Sequence, residues 1–133
     1  MSRQPATPEV FDLLNEVPVR VLGRSMWPWL WPDDVVMVRT KTEPQVGEVI
    51  VVHRGDEAPL IHRVTARRAQ EFQSQGDNAL HSDGWFADEA CAGVVVSARR
   101  GVLPLPLPPA WLARRVAPWH RRLFYGLRRR LRP

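Results

Sequence analysis

The chain has 133 residues, one cysteine and a net charge of +5. This length suits a single domain that buries its own core, and a lone cysteine excludes an intrachain disulfide. No window reaches the ~20 apolar residues of a membrane span, and residues 1–16 lack the apolar core of a signal peptide. We therefore expect a cytoplasmic protein with no transmembrane segment, with peripheral attachment to a membrane as the alternative.

In chain order, residues 8–16 are predicted to form a short helix within an N-terminal lead-in, residues 1–18. Residues 19–101 alternate short apolar, β-branched segments with turns that contain Gly and Pro. The predicted strands are residues 19–22, 34–39, 48–54, 60–68, 71–75 and 93–99, with loops at 26–32 and 76–87. This pattern predicts a mainly β domain, a small antiparallel, barrel-like folded sheet.

The end of the chain differs in composition from the β domain. Residues 103–109 alternate Leu with Pro, which predicts an extended, Pro-rich linker over 102–109. Residues 110–133 hold eight arginines and no acidic residue. Removing these eight charges from the total of +5 leaves −3 for the first 109 residues.

Apolar residues recur every three or four positions in 110–133, which predicts a basic helical tail. The apolar positions are Leu112, Val116, Trp119, Leu123, Leu127 and Leu131. Pro118 is predicted to split the tail into two helices. Three roles stay open for it: lying on an anionic membrane, binding a partner protein, or packing on its own domain. Nucleic acid is an unlikely partner, because no other part of the chain supports it.

Three segments contain the residue types of a serine hydrolase. Ser25 follows Gly23 in a turn, His62 lies in the apolar run 60–64, and Asp77 and Asp83 lie in a later loop. A hydroxyl, an imidazole and a carboxylate are the parts of a nucleophile, a base and an orienting group. Spacing alone does not bring them together, and each residue has an ordinary structural interpretation in a turn or a strand.

Metal and cofactor chemistry finds little support in the sequence. The histidines and Cys91 show no zinc-ligand spacing, so we predict no metal and no cofactor. Cys91 lies between two alanines next to a predicted strand, which favours a small buried residue over a nucleophile.

The ordered set of motifs resembles the type I signal peptidase family, within the superfamily that includes LexA-like self-cleaving repressors. The matching pieces run from about residue 19 to residue 96: Gly-x-Ser-Met-x-Pro, Asp-Val-Val, Gly-Glu-Val-Ile-Val-Val, His-Arg-Val and Gly-Asp-Asn. His62 stands where bacterial members have lysine, as it does in the endoplasmic-reticulum and archaeal kind. A histidine, with a reference pKa near ~6.5, can act as a base near neutrality without strong desolvation.

The resemblance implies roles for the individual residues. Ser25 is the expected nucleophile and His62 the base, with Asp83 favoured to orient His62 and Asp77 to brace the loop. The backbone N–H of Ser25 is the expected oxyanion donor. Family members often add a serine hydroxyl at the position of Gly23, which cannot supply one. The residues expected to contact the substrate are Met26, Trp27, Pro28 and Trp29.

The sequence thus predicts a serine endopeptidase that acts on a peptide or protein substrate, in leader or signal-type peptide processing. A LexA-like self-processing regulator fits less well, because no Ala-Gly bond precedes Ser25. The alternative from another class is a non-catalytic peptide-binding or scaffold module, favoured by Gly23 and the tryptophan-rich loop.

Overall fold

The computed structural model describes residues 15–41 and 43–131, with side chains described as far as Leu127. Eight strands and one long helix make up this part of the chain. The strands are β1 (Glu16–Arg20), β2 (Val35–Arg39), β3 (Val49–Arg54), β4 (Glu57–Arg68), β5 (Glu71–Gln75), β6 (Gly84–Ala87), β7 (Cys91–Arg100) and β8 (Leu103–Leu105). The helix α1 spans Ala110–Leu131, and a short 3-10 turn, Asp88–Ala90, precedes β7.

All eight strands belong to one antiparallel sheet, so the mainly β prediction is confirmed. The order is β1-β2-β7-β3-β4-β5-β6, and β8 pairs with β7. The sheet is not closed into a barrel, because β1 and β6 end the order and do not pair with each other. The prediction of a barrel-like sheet is corrected to an open, folded one.

Strand β3 lies at the centre and is buried on both faces. Val49 and Val51 join a core cluster that contains Met26 and Leu30, from the loop before β2, and side chains of β2 and β7. Ile50 and Val52 point the other way, into a second cluster with Val64, Phe72 and Cys91. Side chains alternate between faces along a strand, so a continuous apolar run such as 49–52 supplies two cores at once.

Gly93 allows the sheet to pack tightly where β7 crosses from β3 to β2. A Cβ atom at this position would lie 2.5 Å from the Arg39 carbonyl oxygen and 2.6 Å from Val38 Cγ1. The register of β7 shifts against both neighbours near this crossing. Such irregularities bend a sheet, which accounts for two core clusters on one sheet.

The predicted boundaries are wrong at both ends of the chain. The first strand runs over Glu16–Arg20 rather than 19–22, because its pairing with β2 extends to Glu16 opposite Arg39. The predicted N-terminal helix, residues 8–16, therefore cannot extend to its last residue, and residues 8–14 lie outside the described part. Residues 103–105 form β8 instead of an unpaired linker, since Leu103 and Leu105 pair with β7.

Two further predictions are corrected. Residues 76–87 are not one loop, because Gly84–Ala87 pairs with β5 and Phe86 stacks on Phe72 with ring centroids 5.7 Å apart. Pro118 does not split the tail, and α1 continues through it. Pro118 is exposed while Ala113, Ala117 and His120 are buried on either side of it. This packing outweighs the one backbone hydrogen bond that the proline removes.

Candidate active site

Ser25 stands in a turn that leaves the end of β1. Gly23 has a φ of 77°, a left-handed conformation that glycine adopts readily. The turn is held by a hydrogen bond from the Trp27 N–H to the Arg24 carbonyl. Met26 is buried beneath it, in the first core cluster. The Ser25 side chain is thereby presented at the edge of the sheet, half-buried.

His62 projects inward from β4, where only 4% of it is exposed. Its Nε2 lies 2.9 Å from Ser25 Oγ, and its Nδ1 lies 2.5 Å from Asp83 Oδ2. Because an ionised carboxylate only accepts, the Nδ1–H donates to Asp83 and leaves the Nε2 lone pair for the Ser25 hydroxyl. The three residues form one chain of hydrogen bonds in the order hydroxyl, imidazole and carboxylate, the order that the predicted roles of nucleophile, base and orienting group require.

Asp83 is held in turn by Ser74, which is fully buried on β5. Ser74 Oγ donates to Asp83 Oδ2 at 2.7 Å. The backbone adds a second tie, because the Asp83 N–H donates to the Ser74 carbonyl. The carboxylate therefore has a fixed position next to the imidazole.

The loop 76–79 lies directly against the turn that contains Ser25. Asn78 donates its N–H to the Ser25 carbonyl at 2.8 Å and its side-chain amide to the Arg24 carbonyl at 3.2 Å. Gly76 passes so close that a Cβ there would lie 2.9 Å from Ser25 Cβ and 3.0 Å from His62 Nε2. Only glycine leaves room for the serine–histidine contact.

Asp77 does not touch His62. Its two carboxylate oxygens each accept a hydrogen bond from Arg63, both at 2.9 Å. Arg63 also donates to the Gly47 carbonyl, and both members of the pair are buried. Asp77 and Asp83 thus lie in different places: Asp83 at the imidazole, and Asp77 in a buried ion pair that fastens the loop to β4.

Helix α1 contacts the same loop from the other side. Arg121 Nε donates to the Asp77 carbonyl, and the Tyr125 hydroxyl donates to the Asn78 carbonyl. His120 Nδ1 lies 3.2 Å from Asn78 Oδ1. One helix face therefore holds the two residues that follow Gly76.

The predicted substrate-contacting residues separate into two groups. Met26 lines a small cleft of about 50 Å³ beside Ser25 and His62. The other walls come from the end of β1 and the start of β4, including Val19, Leu22, Leu60 and Ile61. Trp27 and Trp29 instead pack around His120, with centroid distances of 6.0 and 6.2 Å. Pro28 follows a cis peptide bond, and its carbonyl accepts the Trp31 indole N–H.

A second ion pair, in which Asp34 is buried and Arg100 is partly exposed, lies at the end of the tryptophan loop. Asp34 accepts two hydrogen bonds from Arg100 and one from the Trp31 N–H. Burial alone raises the pKa of Asp34, but the hydrogen bonds from Arg100 and Trp31 outweigh it and hold the pKa below the usual 3.8. The loop that follows Ser25 is therefore anchored to β7.

No group of three or more His, Cys, Asp and Glu side chains in residues 15–41 and 43–131 is placed to bind a metal ion. Cys91 is buried, as predicted, and burial raises the pKa of its thiol above the usual value. A protonated thiol is a poor nucleophile.

No helix in the described ranges has both the length and the apolar character that a membrane crossing needs. Comparisons with family models, curated proteins and solved structures find no match to this chain.

Several residues at this site received no role from the sequence. Arg63, Gly76 and Asn78 stand in the quoted motifs, whereas Ser74, His120, Arg121 and Tyr125 belong to none of them. Ser74 had a usable signal, because it shares the inward face of β5 with Phe72. The helix residues had none, since their contacts join positions more than 40 apart in the sequence.

Proposed function

We propose that the chain is a serine endopeptidase that hydrolyses a peptide bond by acyl transfer. The observation that carries the proposal is the hydrogen-bonded chain from Ser25 Oγ to His62 Nε2 and from His62 Nδ1 to Asp83. A serine hydroxyl is too weak a nucleophile unaided, and a neighbouring base that is itself oriented removes this obstacle. The motif resemblance to type I signal peptidases points to the same chemistry.

In the acylation half, Ser25 Oγ attacks the carbonyl carbon of the scissile bond while its proton passes to His62 Nε2. Asp83 stabilises the imidazolium that forms and keeps the ring in the required tautomer. His62 then gives the proton to the leaving nitrogen, the C–N bond breaks, and an ester to Ser25 remains. In the second half, His62 takes a proton from water, the hydroxide attacks the ester, and Ser25 Oγ recovers the proton.

The negative charge that develops on the substrate carbonyl oxygen during the attack needs hydrogen-bond donors. In the described part of the chain, the backbone N–H of Ser25 donates to no other group, so it is available for this oxygen. Gly23 supplies no side-chain hydroxyl. Losing one such donor lowers the rate of other hydrolases by ~100- to 1,000-fold. We therefore expect slow turnover unless the substrate itself adds a donor.

The cleft supports a small side chain next to the scissile bond. It has a volume of about 50 Å³, and its walls include the apolar side chains of Val19, Leu60 and Ile61. The walls belong to β1, an edge strand, and to the part of β4 that pairs on one side only with β3. An extended peptide can bond to such free strand edges. A peptide with small residues before the cleaved bond is the substrate that we propose.

Two other functions from the sequence are less well supported. Self-processing at Ala92-Gly93 would require this bond to leave β7, where Gly93 pairs with Val51 of β3. A non-catalytic peptide-binding module does not account for the tie between Ser74 and Asp83, because peptide binding needs no oriented imidazole. Peptide binding without cleavage, unchanged in Ser25→Ala, would nevertheless favour that module.

A mixed peptide library tests the proposal. Wild type, Ser25→Ala and His62→Ala are incubated with the library, and cleavage products are identified by mass spectrometry. We expect cleavage after small residues in wild type and none in either variant. Cleavage that persists in Ser25→Ala, or a wild type that cuts nothing, would contradict the proposal.

A further inference from the structure

Helix α1 contacts the rest of the chain through one face. Ala113, Ala117 and His120 are buried on this face at intervals of four and three residues, and Phe124 packs against Trp27. The small alanines bring the helix close to β4, β5 and the loop 76–79, whose side chains border the same cavity. Both tryptophans of the helix, together with Leu123 and Leu127, lie away from this face.

The outer face of α1, which we define as Trp111, Trp119, Leu123 and Leu127, is turned to solvent. Exposed fractions are 67% for Trp111, 77% for Trp119, 56% for Leu123 and 48% for Leu127. The last three follow one another at intervals of four residues and form a row about 12 Å long. Packing on its own domain, one of the three roles left open for the tail, is therefore not what these positions do.

Positive charge surrounds this row. Arg115 and Arg122 are exposed on α1, and residues 110–133 contain no acidic residue. The first 109 residues carry a net charge of −3. The attraction for anions is therefore concentrated on the segment that also exposes the tryptophans and leucines.

We propose that the outer face of α1 binds the surface of a membrane that contains anionic phospholipids, with the helix lying in the plane of the membrane. Leucine side chains enter the boundary of the acyl chains, tryptophan rings favour the headgroup level, and arginines bond lipid phosphates. A nucleic acid would satisfy the arginines but offers no apolar layer for Leu123 and Leu127. A groove on an acidic partner protein would satisfy both the arginines and the leucines, so the test must distinguish a protein partner from a membrane.

The proposed docking surface is the outer face of α1, whereas its inner face contacts the loop 76–79 beside the candidate active site. The inner face holds Asp77 and Asn78 through Arg121 and Tyr125, and none of these contacts uses the outer face. Binding to lipid can therefore leave the hydrogen bonds of the site in place. The inference goes beyond the proposed peptidase function, and it can be tested without any measurement of catalysis.

The experiment is flotation of the full chain with vesicles of phosphatidylcholine alone and with vesicles that also contain phosphatidylglycerol. We expect binding to the second kind and at least tenfold weaker binding to the first. Trp119→Ala combined with Leu123→Ala should weaken the binding by about tenfold or more. Arg122→Gln should weaken it by about fivefold, the contribution of one basic residue near an anionic surface.

Matched controls come from the sheet. Trp85 is a partly exposed tryptophan on β6 and Arg99 an exposed arginine on β7, so Trp85→Ala and Arg99→Gln should bind vesicles like wild type. Circular dichroism checks that every variant keeps its fold. No binding to anionic vesicles, or equal binding by the outer-face variants and wild type, would overturn the proposal. The proposal would also be overturned if the chain does not bind lipid and instead binds a second copy of itself, or another protein, in a way that depends on Trp119.

Discussion

His62 and His120 are both buried, yet their surroundings differ in a way that separates chemistry from packing. His62 has a partner at each ring nitrogen, a hydroxyl on one side and a carboxylate on the other. His120 has one partner, the Asn78 side chain, and its buried Nε2 has none among the described residues. Tryptophans 27 and 29 surround His120 where Ser25 and Asp83 surround His62.

The comparison shows that burial alone does not identify a catalytic histidine. A base must receive a proton on one nitrogen while a fixed group supports the charge on the other. His62 meets both conditions. Among the described residues His120 has no carboxylate partner, and burial, aided by neighbouring Arg121, lowers its pKa below the usual 6.5 although Asp77 opposes this. We therefore propose that His62 transfers the proton and that His120 fixes the loop 76–79.

The largest effect should come from exchanging each histidine for glutamine. His62→Gln removes the base, and we expect kcat/KM to fall by at least about 10⁴-fold. His120→Gln is the matched control and should lower it by no more than about tenfold, because glutamine can still bond Asn78. Both rates are measured on a peptide found in the library. Equal losses of kcat/KM in the two variants would contradict the proposal that His62 and His120 have different roles.

The second-largest effect should come from adding a methyl group at Gly76. Gly76→Ala places a carbon 3.0 Å from His62 Nε2 and 2.9 Å from Ser25 Cβ, so the serine and histidine must separate. We expect about a 100-fold loss of kcat, the usual size for a misplaced catalytic pair.

Gly126→Ala provides the control for Gly76→Ala, since a Cβ at Gly126 would meet nothing within 4 Å. Its kcat should equal that of wild type. Full activity in Gly76→Ala would show that the contact between Ser25 and His62 is not required.

Ser74 supports Asp83 and should have a smaller effect. Ser74→Ala removes one hydrogen bond to the carboxylate, and we expect kcat to fall about tenfold while KM stays unchanged. Ser97 is an exposed serine on β7, and Ser97→Ala should change neither constant. A change in KM alone for Ser74→Ala would mean that this serine acts on substrate binding instead.

The smallest effect concerns pH and His120. Because the pKa of His120 is lowered in the fold, the unfolded chain takes up a proton near pH ~6.5 before the folded chain does. The His120 contribution to the free energy of unfolding is therefore complete above this pH and is lost as the pH falls toward the lowered pKa. Thermal unfolding of wild type and His120→Gln should converge in this window, and a constant difference would contradict the assignment.

The sequence predicts the centre of this molecule better than its edges. Strands β2 to β5 were found because β-branched runs between Gly and Pro turns carry a strong local signal. Strands β6 and β8 were missed because Gly84 and Pro104 are weak strand formers, and only pairing with β5 and β7 makes them strands. The continuity of α1 through Pro118 likewise depends on tertiary packing.

The candidate site divides in the same way. Ser25, His62 and Asp83 could be proposed from the order of their motifs, and the structure brings these three together. The residues that hold the site in place could not be predicted. Asn78, Arg121 and Tyr125 reach the site through contacts that no local sequence pattern encodes. Asp77 also illustrates the limit: its sequence suited either role, and only the position of Arg63 distinguishes them.

The most direct test of the central claim is a burst experiment with a p-nitrophenyl ester of a short peptide that ends in alanine. Acyl transfer predicts a rapid release of nitrophenol equal to one equivalent of protein, followed by slower turnover. Mass spectrometry of the acid-quenched protein should find the acyl group on Ser25, and Ser25→Ala should show neither burst nor adduct. The same burst in Ser25→Ala, or an adduct on another residue, would contradict the account.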